Sequence, residues 1–286
     1  MKALKTMMAL PAILGLATIA HAANFSGSYS QNFDSMGTSG TAAPTGWSVY
    51  SIAGSHDTFS YWTPSGGYVT ALPASSDIAG ATAASSTLTA GVASTQKGAA
   101  GYNFSDSTTT SNRALGSSPS GNAMTLLQLT LTNTTGDALT DFNVSYDIRR
   151  FTTTTTNNST YTGGPYSGVE ELPGYWLWYS LDSGATWTNV SALNPTLSGT
   201  SGVVVPNTVG TTSVPTTDVS LSSAWANGST LLLRWSDDNA QSPSPDQLIG
   251  LDNVVLTTTA APEPTSAAML GLGLLGFLRR RRPVNQ

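Results

Sequence analysis

The chain has 286 residues, a formal net charge of −5, only 9% charged residues and no cysteine, which excludes disulfides, thiol catalysis and thiolate metal sites. With the two ends set aside, residues 23–261 keep five basic residues (Lys97, Arg113, Arg149, Arg150 and Arg234) against fifteen acidic ones. Such an acidic surface repels phosphate backbones, so nucleic acid is excluded as a partner.

The N-terminus, residues 1–22, reads as a secretory signal peptide. Met1-Lys2-Ala3-Leu4-Lys5 is a positive start, MMALPAILGLATIA is an apolar run, and Ala20-His21-Ala22 is a small-x-small cleavage site. An exported chain without disulfides must be held by a real core, and roughly 240 residues suffice for one large β domain.

Residues 23–261 show no long helical periodicity. They show short alternating runs bounded by turn residues. Met124–Thr132 (MTLLQLTLT) alternates, NTTGD turns, and Asp141–Ile148 (DFNVSYDI) alternates again. Gly174–Leu181 (GYWLWYSL) precedes the turn Asp182-Ser183-Gly184 and the run TWTNVSAL. Asn227-Gly228 leads into Ser229–Ser236 (STLLLRWS), and Ile249–Thr257 (IGLDNVVLT) closes the series. Ser75–Ala100, rich in Ala, Ser, Thr and Gly, reads as a long loop or weak edge strands. The fold expected is all-β, an antiparallel β-sandwich of jelly-roll type.

The last segment, residues 262–286, differs from everything before it. Pro262-Glu263-Pro264 is followed by fourteen uncharged residues, Thr265 to Leu278, and then by Arg279, Arg280, Arg281 and Arg282. As a helix, fourteen residues span about 21 Å, short for a hydrocarbon core of about 30 Å. The arginines stay cytoplasmic under the positive-inside rule, which leaves the body outside. This order of parts resembles the PEP-CTERM sorting signal. The resemblance implies an exosortase-type membrane protease as partner and a Gram-negative bacterium that makes exopolysaccharide as host. It also implies transient anchoring in the inner membrane, then residence at the cell surface or in the extracellular matrix.

A second set of motifs runs through the body: Gln31-Asn32-Phe33-Asp34-Ser35-Met36-Gly37, Pro44-Thr45-Gly46-Trp47, Asn112-Arg113-Ala114-Leu115-Gly116-Ser117, the NTTG and YSLDSGATWT hairpins, and GLDNVVLT. Taken in order, they resemble a jelly-roll-like module of bacterial extracellular proteins.

The resemblance to jelly-roll carbohydrate modules suggests a structural Ca²⁺ between the first strand and an Asp on the last, here Asp34 and Asp252. Oxygen-only ligands suit that ion. The competing reading has Asp252 accepting backbone N–H groups at a strand end. Tyr61, Trp62, Tyr161, Tyr166 and Tyr175 lie near Gly/Pro/Ser/Thr-rich stretches and can form a stacking platform for sugar. Trp47, Trp178, Trp187, Trp225 and Trp235 are expected in the core. S-x-D-x-G-x-x-W at 180–187 matches one Asp-box; a propeller would repeat it, so a structural hairpin is expected.

Catalytic signals are poor. His56 stands in a loop sequence with no G-x-S-x-G elbow, and Glu170-Glu171 are adjacent instead of facing each other across a cleft. The expectation is a non-enzymatic surface or exopolysaccharide-matrix protein, with a carbohydrate-binding module as the alternative and a secreted hydrolase as the weakest reading.

Overall fold

The computed structural model describes residues 21–53, 60–63, 67–70, 72–84, 87–93, 100–107, 110–119, 123–153, 174–196, 202–206, 208–237 and 247–258. The signal-peptide run 1–20, the sorting segment 262–286, His56, Tyr161, Tyr166, Glu170 and Glu171 lie outside them.

In chain order the strands are β1 (Ala23–Phe25), β2 (Ser28–Gln31), β3 (Trp47–Ala53), β4 (Ser60–Thr63), β5 (Gly67–Thr70), β6 (Thr82–Ala83), β7 (Thr89–Val92) and β8 (Ala100–Ser105). They continue as β9 (Ala114–Ser118), β10 (Ala123–Asn133), β11 (Leu139–Arg150), β12 (Trp176–Ser180), β13 (Thr188–Asn189), β14 (Gly210–Trp225), β15 (Thr230–Asp237) and β16 (Ile249–Thr257). One seven-stranded sheet has the order β13-β12-β15-β10-β3-β6, with β1 also on β10. The other has the order β14-β11-β16-β9-β8-β7, with β2 also on β16. Pairing is antiparallel except for β1 with β10 and β7 with β8.

The core between the sheets follows from period-2 alternation. β10 sends in Leu127, Leu129 and Leu131, β11 Phe142, Val144, Tyr146 and Ile148, and β15 Leu231, Leu233 and Trp235. Phe33, Trp47, Trp235 and Tyr146 form a chain of rings with centroids 4.9, 5.5 and 5.8 Å apart. All five tryptophans expected in the core are buried.

Two elements depart from the sequence expectation. Ser75–Ala79 is a short helix, α1, whose entry is held by the Asp77 carboxylate accepting the Ala74 N–H at 3.1 Å. Five residues with one buried side chain, Ile78, are too few to show a 3.6-residue period. β14 was not anticipated either. Its buried positions, Val214, Val219 and Trp225, are five and six residues apart, and its pairing with β11 slips between Val144 and Tyr146. Such a bulge breaks the alternation by which a strand is recognised.

Each sheet also has a seam. Along β10, β3 pairs up to Leu129 and β1 takes over at Leu131. Along β16, β9 pairs up to Leu251 and β2 takes over at Val254. The N-terminal segment thus belongs to both sheets. The second seam contains the polar cluster of interest.

Candidate functional site

At the β16 seam Asn253 adopts φ 47°, a left-handed conformation that Asn tolerates better than most residues. The distortion shifts the phase of the strand. Ile249 and Leu251 face the core before it, and Val254 and Leu256 face it after. Asp252 is left at the notch between β9 and β2, with only 4% of its side chain exposed.

Asp34 reaches the same notch from the short 3₁₀ turn that follows β2. One carboxylate oxygen accepts the Arg113 backbone N–H at 2.8 Å, and the other accepts Asn32 Nδ2 at 3.2 Å. Arg113, itself buried, donates through Nε to Asn103 Oδ1 at 2.6 Å and through Nη2 to the Asn103 carbonyl. Asn103 closes the circuit by donating to the Gly37 and Gly40 carbonyls, each at 2.9 Å. The QNFDSMG and NRALGS motifs, far apart in sequence, are therefore joined by hydrogen bonds, and GLDNVVLT is paired to NRALGS through β16 and β9.

The cation of the notch is Arg149, from β11. It donates to Asp106 Oδ2 at 2.6 Å, to Asn112 Oδ1 at 2.7 Å and to Asp252 Oδ2 at 3.4 Å. The other oxygen of Asp252 accepts the Asn253 N–H at 2.8 Å. Burial pushes the Asp252 carboxyl up to about 6; the Asn253 N–H and Arg149 pull it down, while Asp34 and Asp147 push it further up. Burial and the neighbouring Arg149 likewise lower the Arg113 guanidinium.

Asp34, on the turn that follows β2, and Asp252, on its partner strand β16, are near enough for Asp34 to push the Asp252 carboxyl up, while each carboxylate has its own hydrogen-bond partners. Asp252 accepts one backbone N–H, from Asn253, in the interior of β16 and not at a strand end. Asp106, Asn103 and Arg149 complete the arrangement, and no local motif announces them. The described residues contain no group of three His, Cys, Asp or Glu side chains that could hold a metal ion. For calcium to use Asp252, it would have to displace Arg149. Beside the notch is an open groove of about 280 Å³ lined by Ser30, Gln31, Asn32, Asn253, Val254 and Val255.

The aromatic candidates separate. Tyr61 and Trp62 lie on β4, which among the described residues pairs with β5 in a two-stranded sheet, Tyr61 opposite Val69 and Trp62 opposite Tyr68. Tyr175 is in the main core, 1% exposed, with its hydroxyl 2.9 Å from Ser117 Oγ, so its ring packs and offers no surface for sugar. The Asp-box is a structural hairpin. Asp182 accepts the Thr186 N–H and hydroxyl at 2.9 and 2.6 Å and the Ser180 hydroxyl at 2.8 Å, which hold its carboxyl down to about 2. Trp187 Nε1 donates to the Gly184 carbonyl at 3.0 Å.

Comparison with known families places one match on the chain. Residues 260–282 fit the model of the PEP-CTERM protein-sorting motif. The chain carries a PEP-CTERM sorting signal. That signal marks an exported protein whose tail is processed at the membrane by an exosortase. No curated protein matches the chain. The PEP-CTERM match begins two residues after Thr258, which closes the last hydrogen bond of the sandwich by donating to the Gly27 carbonyl at 2.9 Å.

Proposed function

We propose that this is a non-enzymatic protein of the cell surface or exopolysaccharide matrix of a Gram-negative bacterium, delivered there by its PEP-CTERM tail. The observation that carries this reading is the sorting match at 260–282, joined directly to a β-sandwich. The polar cluster at the β16 seam supports it as well. Its arginines and carboxylates are engaged with one another and pin strands, so they are poorly placed to move protons on a substrate.

The marginal apolar span cannot define its orientation without the flanking charges. Replacing Arg279–Arg282 by Gln, or Pro262-Glu263-Pro264 by Ala-Ala-Ala, should reduce tail processing at least severalfold and shift the protein between membrane and surface fractions. The melting temperature of the body should stay unchanged. Processing and localisation unaltered in both variants would remove the sorting role.

A second reading, a carbohydrate-binding module of the matrix, rests on Tyr61 and Trp62 in the two-stranded β4–β5 sheet. Retention of a matrix polysaccharide on a glycan array favours it over the first.

A structural Ca²⁺ at Asp34 and Asp252 is a separate proposal, motivated by the proximity through which Asp34 raises the Asp252 carboxyl. An ion that binds only the folded state adds about 2.7 kcal/mol at a hundredfold excess over Kd. Chelator should then lower the melting temperature by on the order of 5 °C, and Asp252→Asn should abolish that response. A melt indifferent to both chelator and added calcium would rule the ion out.

A further inference from the structure

The last described strand, β16, ends at one end of the sandwich, and the tail follows from there. At that end the connections are tight and bonded to each other. Thr134 N donates to the Phe25 carbonyl at 2.8 Å, Gly228 N to the Asn133 carbonyl at 2.7 Å and Gly136 N to Asn227 Oδ1 at 3.0 Å. Asn133, fully buried, donates its side-chain amide to the Asp137 and Trp225 carbonyls at 2.8 and 2.9 Å. Thr258 and its partner Gly27 belong to the same end. The result is a stitched plate of turns. At the opposite end β3 stops at Ala53, β9 at Ser118, β11 at Arg150 and β15 at Asp237, while β12, β14 and β16 begin there.

From this we infer that the turn plate faces the membrane in the anchored precursor and is the surface that meets the bilayer. The inference rests on the sorting reading above. Thr265 begins the apolar span only seven residues after Thr258, so the two are at most about 25 Å apart even when fully extended. β10 alone, eleven residues at about 3.3 Å each, runs about 36 Å from the plate toward the other end. A body standing on its far end would need its exit point higher above the bilayer than the tether reaches. The plate-down orientation keeps the exit point within reach of the tether and turns the opposite end outward.

The natural absence of cysteine makes the test clean. Single cysteines are placed at Ala138, exposed on the plate, and at Val209, 64% exposed next to the β14 start at the opposite end. Both go into a precursor held unprocessed by the Pro262-Glu263-Pro264 to Ala-Ala-Ala change, and membranes are treated with a bulky, membrane-impermeant maleimide. Ala138→Cys should label severalfold more slowly than Val209→Cys. The two rates should become equal, after correction for intrinsic reactivity, in a body truncated after Thr259 or when about fifteen Gly/Ser residues separate Thr259 from Ala260. Equal rates in the anchored, unextended precursor would overturn the orientation alone. A precursor that does not sediment with membranes would overturn the sorting reading and this inference with it.

Discussion

Arg149→Ala should lower the stability of the sandwich by about 3–5 kcal/mol, the usual cost of removing one partner of a buried ion pair. For a domain of this size that is a fall in melting temperature on the order of 10 °C. The substitution removes the donor to Asp106, Asn112 and Asp252 in one step. It leaves Asp252 buried beside Asp34 and Asp147 with the Asn253 N–H as a remaining donor. The pH dependence distinguishes this cause from a simple loss of packing. In the wild type Asp252 ionises near pH 6 when folded, against 3.8 for the ordinary carboxyl. Between those values the folded protein holds a proton that the unfolded chain has released, so this contribution is fully present below about pH 4 and is lost as pH rises through 6. Without Arg149 the folded value rises further, and the gap between variant and wild type should widen from pH 5 to pH 8. A deficit of equal size at every pH would assign the loss to packing. Arg149→Lys should recover only part, because an ammonium cannot serve three partners in one plane.

The second large effect is expected at Arg234. This side chain, 5% exposed, is held between the rings of Tyr50 and Trp187 at 4.2 and 4.3 Å. It donates to Gln128 Oε1 at 2.8 Å and to the Ile78 carbonyl of α1. Burial draws the guanidinium down to about 10, which leaves it charged at neutral pH. Arg234→Ala should cost about 3 kcal/mol, since it opens a gap between two rings and orphans two acceptors. Arg234→Lys should recover little, because stacking on both faces needs a planar cation. The loss should be local as well as global. Ser75 anchors α1 to the Trp187 backbone, so α1 amides should exchange faster in the variant even far below its melting temperature. Unchanged exchange at Ile78 and Gly80 would show that Arg234 does not hold the helix.

Much of the sandwich was legible as short apolar-rich runs bounded by turn residues. Met124–Thr132 lies within β10, Asp141–Ile148 within β11, and Ile249–Thr257 coincides with β16. In β11 alternation survives because one face meets the core and the other does not, whereas β10 is buried on both faces and β16 changes phase at Asn253. Alternation fails in β14, where Pro215 and the slip opposite Val144 and Tyr146 space the inward residues irregularly. The seam was legible in part for a related reason. Asp34 and Asp252 stood out as carboxylates at the first and last strands of a chain poor in charge. Arg149 ends an unremarkable run, DFNVSYDIRR, and Asn103 and Asp106 carry no motif. Only the stacking of β8, β9, β11 and β16 in one sheet gives those residues a common address.

The double membership of the N-terminal segment has a kinetic consequence. β2, the second strand of the chain, pairs with β16, the last, through Gln31 opposite Val254. Nearly the whole body must therefore emerge on the far side of the membrane before that seam can close, and such long-range pairing is slow to form. The sorting match begins at residue 260, just behind the strand that completes the fold. Anchoring of the tail and closure of the sandwich thus fall in the same interval of export. A chain that is anchored before β16 has paired waits at the membrane with both edges of its seam open.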